Sequence, residues 1–184
     1  MKKLSIVALA VLSLTASAYA SAETDRVGAY VGGQIGAFSA DVEGDSESGQ
    51  SYGAYGGYNF NEWFGLEGTI YLTNDFVDNE YASVNAASFS VAPKFTLVLN
   101  DTFSLYGKIG LASVAVVTDT FIRDVDYQGF GLTVGAGVNA AVTDKLNIRL
   151  GYDFTSAELD SDDFGAQDID MDLSNVTLGM HYQF

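Results

Sequence analysis

The chain has 184 residues, enough for one domain, and sets 24 acidic residues against eight basic ones. A net charge of −16 repels nucleic acid and bare anionic surfaces and attracts divalent cations or basic partners. There is no cysteine, so no disulfide staples an exported fold and the fold itself must supply stability.

The first twenty residues, MKKLSIVALAVLSLTASAYA, place Lys2 and Lys3 before an apolar run from Leu4 to Leu14 and a small-residue site at Ala18-Tyr19-Ala20. This is the layout of a cleaved secretory signal peptide, and the run is too short to span a bilayer as a helix. Cleavage is expected after Ala20, with Ala16-Ser17-Ala18 as a second site. The following Ser21 excludes lipid attachment at that cut. Residues 21–184 are then one domain in which six basic residues face 24 acidic ones, a net charge of −18.

Beyond the leader, apolar and small or polar residues alternate. Phe64, Leu66, Ile70 and Leu72 interleave with Gly65, Glu67, Thr69 and Tyr71. Phe130 to Val142 and Leu146 to Thr155 behave the same way, as does the closing NVTLGMHYQF. A period of two held over so many residues is a strand with two unlike faces. Eight strands are predicted, near 26–38, 50–60, 64–73, 84–99, 103–117, 128–142, 146–155 and 173–184. Three connections are tight triplets with an acidic middle residue: Asn61-Glu62-Trp63, Asn100-Asp101-Thr102 and Thr143-Asp144-Lys145. The other four, near 39–49, 74–83, 118–127 and 156–172, are longer and hold most of the acid. Among these are Asp41, Glu43, Asp45 and Glu47 in the first, and Glu158, Asp160, Asp162, Asp163, Asp168, Asp170 and Asp172 in the last. The pattern predicts an all-β, antiparallel, up-and-down meander of four hairpins.

Periodicity leaves open which face is concave. A soluble lipid-carrying barrel puts its apolar face inside; a membrane barrel puts it outside, against lipid. Four features favour the second. The polar face is crowded with Gly28, Gly32, Gly36, Gly53, Gly57, Gly65, Gly110, Gly129, Gly131, Gly135, Gly137, Gly151 and Gly179, which suit a narrow bore better than a solvated exterior. Aromatic residues gather near strand ends, as interfacial girdles do: Phe60, Trp63, Phe64, Phe103, Tyr182 and Phe184 by the tight turns, Phe130, Tyr152 and Phe154 toward the loops. Tilted strands of about ten residues match the hydrocarbon thickness. An even strand count with short turns on one side and long loops on the other is the outer-membrane layout, and closure satisfies every backbone group.

At this point the chain resembles a family. Val176, Leu178, Met180, Tyr182 and Phe184 alternate along the last strand and end on an aromatic residue. Such an ending is similar to the C-terminal signal that the barrel-assembly machinery reads in bacterial outer-membrane barrels. With the start GAYVGGQIG and the turn FNEWFGLE, the chain resembles the small eight-stranded outer-membrane barrels over its mature length. These include the transmembrane domain of outer membrane protein A and the outer membrane protein X and opacity groups. The resemblance implies a closed eight-stranded transmembrane barrel with short periplasmic turns and long extracellular loops. It implies an integral protein of the Gram-negative outer membrane, among lipids and lipopolysaccharide.

Charged residues on the inward face are few: Glu67, Lys94, Lys108, Arg149 and Asp153. The turn at 100–102 sets Lys94 opposite Lys108, and like charges in that relation need a carboxylate, for which Glu67 on the neighbouring strand is the candidate. Arg149 is expected to reach it across the bore, with Tyr106 and Gln34 as hydrogen-bond partners. Eight strands leave an interior wide enough only for side chains, so a plugged lumen is expected, with a gated small-solute or ion channel as the alternative and a soluble periplasmic lipid carrier as a second. His181, the only histidine, has no nucleophilic serine evident beside it, so no catalytic residue and no enzyme is expected. Asp160-Ser161-Asp162-Asp163 lacks the glycine and distal glutamate of a calcium loop, so no metal site and no cofactor is assigned. Loop carboxylates sharing Ca²⁺ or Mg²⁺ with lipopolysaccharide phosphates, and rim aromatics Phe76, Tyr81, Phe121 and Tyr127 meeting a surface partner, are the interactions the sequence allows to an expected monomer. Pro93, the only proline, falls inside a strand and predicts a bulge or a missing ladder bond.

Overall fold

The computed structural model describes residues 26–42, 45–73, 82–120, 123–161 and 169–184. The leader with Ala18 and Ala20, and Glu43, Phe76, Tyr81, Phe121, Asp162, Asp163 and Asp168, lie outside the described residues, as do the side chains of Asp45, Glu47, Tyr127, Asp160 and Asp170. Eight strands run in chain order: β1 (Gly28–Val42), β2 (Asp45–Asn59), β3 (Phe64–Thr73), β4 (Ala82–Val98), β5 (Phe103–Thr120), β6 (Arg123–Ala141), β7 (Leu146–Ser161) and β8 (Ile169–Gln183). Each pairs antiparallel with the next, and β8 returns to β1 from Tyr30↔Gln183 to Val42↔Met171, closing the barrel.

The strand count and the three tight turns match the sequence pattern; the lengths do not. Two of the four long connections, at 39–49 and 118–127, are largely ladder. β1 and β2 stay paired out to Val42↔Asp45, and β5 and β6 to Thr120↔Arg123. β7 and β8 likewise extend to Leu159↔Ile169. Alternation marks only the stretch where the two faces meet lipid and lumen. Beyond it a hairpin keeps adding backbone hydrogen bonds whatever its side chains are, so polar strand reads as loop.

In the turns the working residue is the first, not the middle acid. Asn61 Oδ1 accepts from the Trp63 and Phe64 amides, Asn100 Oδ1 from those of Thr102 and Phe103, and Thr143 Oγ1 from those of Lys145 and Leu146. Such side-chain-to-backbone bonds are the reason Asn and Thr open turns.

The apolar face is convex. Thr133 is 3% exposed, whereas its neighbours Leu132 and Val134 are 62% and 43% exposed. Val176, Leu178, Met180, Tyr182 and Phe184 all point outward, and Thr177, His181 and Gln183 between them are buried. At the tight-turn end the rings form a girdle: Phe60 stacks on Phe64, Trp63 on Phe95, and Tyr182 meets Phe184 edge-on. This is the arrangement for lipid outside and side chains inside.

The inward glycines are there for space. A Cβ at Gly57 would stand 2.2 Å from the Leu66 carbonyl oxygen and 2.7 Å from the Tyr30 hydroxyl, while one at outward Gly68 would meet nothing closer than 3.8 Å. Pro93 breaks the β4–β5 ladder without a bulge. Val91↔Leu111 and Lys94↔Lys108 keep one register, and the intervening pairs at Ala92 and Pro93 drop out. Thr96 donates to the Trp63 carbonyl just before β3, on the β3 side of the strand, so in the alternating pattern Pro93 faces β5, where it has no N–H to give.

Candidate functional site

The register places Glu67, Lys94, Lys108, Arg149 and Asp153 in one buried constellation in the bore. Lys94 lies directly opposite Lys108, and Glu67 on β3 is one step away, paired with Ala92. Glu67 is shared by three cations. Arg149 Nη1 is 2.8 Å from Oε2, Lys108 Nζ is 3.1 Å from Oε1, and Lys94 Nζ is 3.9 Å from Oε2. Lys108 also meets Asp153 Oδ1 at 2.9 Å. All five are nearly excluded from solvent, where Coulomb attraction is strong and an unpaired charge is costly.

The hydrogen-bond partners differ from those the sequence suggested. Gln34 does not join the network, its Nε2 being without a hydrogen-bond partner. Tyr106 stacks on the Arg149 guanidinium, 4.4 Å from ring centroid to Cζ, and Tyr55 does so at 4.2 Å, giving the cation an aromatic cage. The hydroxyl partner is Tyr30, which donates to Glu67 Oε2 at 2.7 Å and accepts from Lys94 Nζ at 2.7 Å. The signal was legible in GAYVGGQIG: Tyr30 shares parity with Gly28, Gly32 and Gln34 and so points inward among glycines that leave room for its ring. Arg149 Nε is held by Asn139 Oδ1 at 3.0 Å, and Tyr71 donates to Asp153 Oδ2. His181 is tied by Nδ1 to the Tyr55 hydroxyl at 3.0 Å and packs against the Tyr30 and Tyr55 rings.

Along the axis the lumen is layered. Toward the loops, above the charges, come Ser51 with Asn175 and Thr133 with Thr155. Beyond them an apolar layer of Phe38, Ala40, Val114, Ala157 and Met171, with Leu173 against it, fills the bore. That layer was not anticipated, because apolar residues on the inward parity contradict the polar-lumen rule. At the opposite, tight-turn end a polar cavity of about 30 Å³ opens. Bore, girdle and closure together define an outer-membrane type of barrel whose interior is filled by its own side chains.

The model of the outer membrane protein beta-barrel domain matches residues 6–184. A 22 kDa outer membrane protein of Rhizobium leguminosarum bv. viciae is 30% identical over 164 residues, covering 83% of this chain and 71% of the relative. Among solved structures, Neisserial surface protein A matches with a TM-score of 0.74 at 16% identity, covering 85% of this chain and 97% of its own. The Yersinia pestis attachment invasion locus protein Ail matches at 0.64 and 18%, covering 87% and 100%, and OprG of Pseudomonas aeruginosa at 0.57 and 13%, covering 89% and 99%. The chain belongs to the outer-membrane β-barrel family, and its place is the outer membrane of a Gram-negative bacterium.

Proposed function

We propose that this barrel is a closed structural and surface-contact element of the outer membrane, with a plugged lumen and no catalytic role. The supporting observation is the fully buried Glu67 carboxylate tied to Lys94, Lys108 and Arg149 across the bore, with the apolar layer around Val114 above it. An ion entering would have to displace charge-assisted bonds and then cross a layer that offers it no ligands. Planar-bilayer recordings test this: wild type should be silent, and stepwise openings by wild type would overturn the plug in favour of the channel reading. That second reading draws on the polar interior atoms without partners, Gln34 Nε2 and Arg149 Nη2 among them, which leave room for rearrangement. Openings confined to Glu67→Ala would assign the block to the network.

Outside the bore, the acidic loop segments favour neutral or basic partners. Ail has been solved with the heparin analogue sucrose octasulfate; a polyanion of that kind is a poor match for a chain of net charge −16. Divalent cations shared between loop carboxylates and lipopolysaccharide phosphates would anchor the loops to the leaflet. Chelation should then raise loop mobility in NMR relaxation of the barrel in lipopolysaccharide-containing bilayers, and unchanged relaxation would remove the bridge. The outward row Val176 to Phe184 is the proposed signal for the assembly machinery, the barrel itself being monomeric.

A further inference from the structure

The buried charges of the bore do not balance. Among the described residues, Lys94, Lys108 and Arg149 oppose only Glu67 and Asp153, all of them within 6% of full burial. Both carboxylates have close partners: Arg149 at 2.8 Å and Lys108 at 3.1 Å on Glu67, and Lys108 at 2.9 Å on Asp153. Lys94 is the remainder. Its ammonium stands 3.9 Å from Glu67 and donates to a neutral hydroxyl, that of Tyr30. An ammonium with three N–H groups, held away from water, whose one carboxylate lies at 3.9 Å and is shared with two nearer cations, calls for a further counter-ion.

Lys94 also lines the cavity at the tight-turn end, together with Thr96, Ser104, Asn139, Asn147 and His181. These walls offer hydroxyl and carboxamide donors beside the ammonium. At the mouth, the charges of Arg26 and Glu62 offset each other, and Arg26 is engaged by the Asn100 and Asp101 carbonyls. A volume of about 30 Å³ compares with the roughly 10–15 Å³ that one water needs. That is room for a single small ion, not for a sugar or a peptide.

We propose that this vestibule is a binding site for one small monovalent anion, a halide or a compact carboxylate, held by Lys94 Nζ with donors from Thr96, Ser104, Asn139 and Asn147. The site faces the periplasm, on the near side of the Glu67 constellation, and is independent of whether the lumen conducts. The ligand neutralises the surplus charge, so occupancy stabilises the folded barrel by mass action. The test uses the folded barrel in detergent micelles, with chloride replacing gluconate at constant ionic strength. Excess ³⁵Cl NMR line broadening and a saturable rise in Tm are expected for wild type and for Lys145→Met. Both should fall to the detergent baseline in Lys94→Met. Should that variant fail to fold, Asn147→Leu, which fills the cavity and keeps every charge, is expected to show the same loss. Formate should displace chloride and sulfate should not. Broadening that persists unchanged in Lys94→Met or Asn147→Leu, or that sulfate removes as well as formate, would overturn the site.

Discussion

Glu67 shows how much one carboxylate carries in this barrel. It neutralises parts of three cations and accepts the Tyr30 hydroxyl, with its side chain fully buried. Removing one partner of a buried ion pair typically costs about 3–5 kcal/mol, because the charges left behind stay desolvated. Glu67→Ala is therefore expected to lower unfolding stability by about that amount, measured by urea titration in lipid vesicles. Trp63, the only tryptophan, lies in the girdle and reports the transition by fluorescence. A loss below about 1 kcal/mol would mean that water already solvates these charges, contrary to their burial. The Arg149 cage of Tyr55 and Tyr106 works beside this: flat aromatic faces supply the cation with contact where, among the described residues, no second carboxylate pairs with it.

Among the strands, β4 carries the one sequence feature that strands avoid. Pro93 faces β5 without an N–H, and the ladder skips the pairs at Ala92 and Pro93 while its register holds on both sides. Because the register is already correct, Pro93→Ala adds a donor without moving the chain. It is expected to stabilise the barrel by about 1 kcal/mol, the usual net value of one hydrogen bond, in the same urea assay. A destabilised Pro93→Ala would show that the fixed proline φ, not the missing bond, is what the strand uses at this position. The hairpins show the opposite economy: Asn61, Asn100 and Thr143 each satisfy two turn amides with one side-chain oxygen.

For the molecule as a whole the critical seam is β1 with β8, which joins the two ends of the described chain. It runs from Tyr30↔Gln183 to Val42↔Met171, and the Phe184 amide adds a bond to the Ala29 carbonyl. Until that seam forms, two strand edges and the apolar convex face are exposed together, the combination most prone to aggregate. Deleting Phe184 is expected to reduce the heat-modifiable, folded form in outer-membrane fractions several-fold, while refolding of the purified variant into detergent stays near wild type. Equal loss in both settings would make Phe184 a stability residue and not an assembly signal.

Which parts of this were readable beforehand follows from the range of the forces involved. Strand identity, the division of each strand into two faces and the Lys94–Lys108 opposition come from a two-residue pleat and a counted turn, both local, so they stand in the sequence. Cross-bore partners do not. Arg149 finds Glu67 and Tyr55, and Tyr30 displaces Gln34, only because closure sets how far each strand is staggered against its neighbours and brings β1, β3 and β7 side chains to one height. The same holds for Phe38, Val114 and Met171, apolar residues on the inward parity whose meeting across the bore no single strand could announce. Alternation along a strand is a property of its own backbone; a filled interior is a property of all eight.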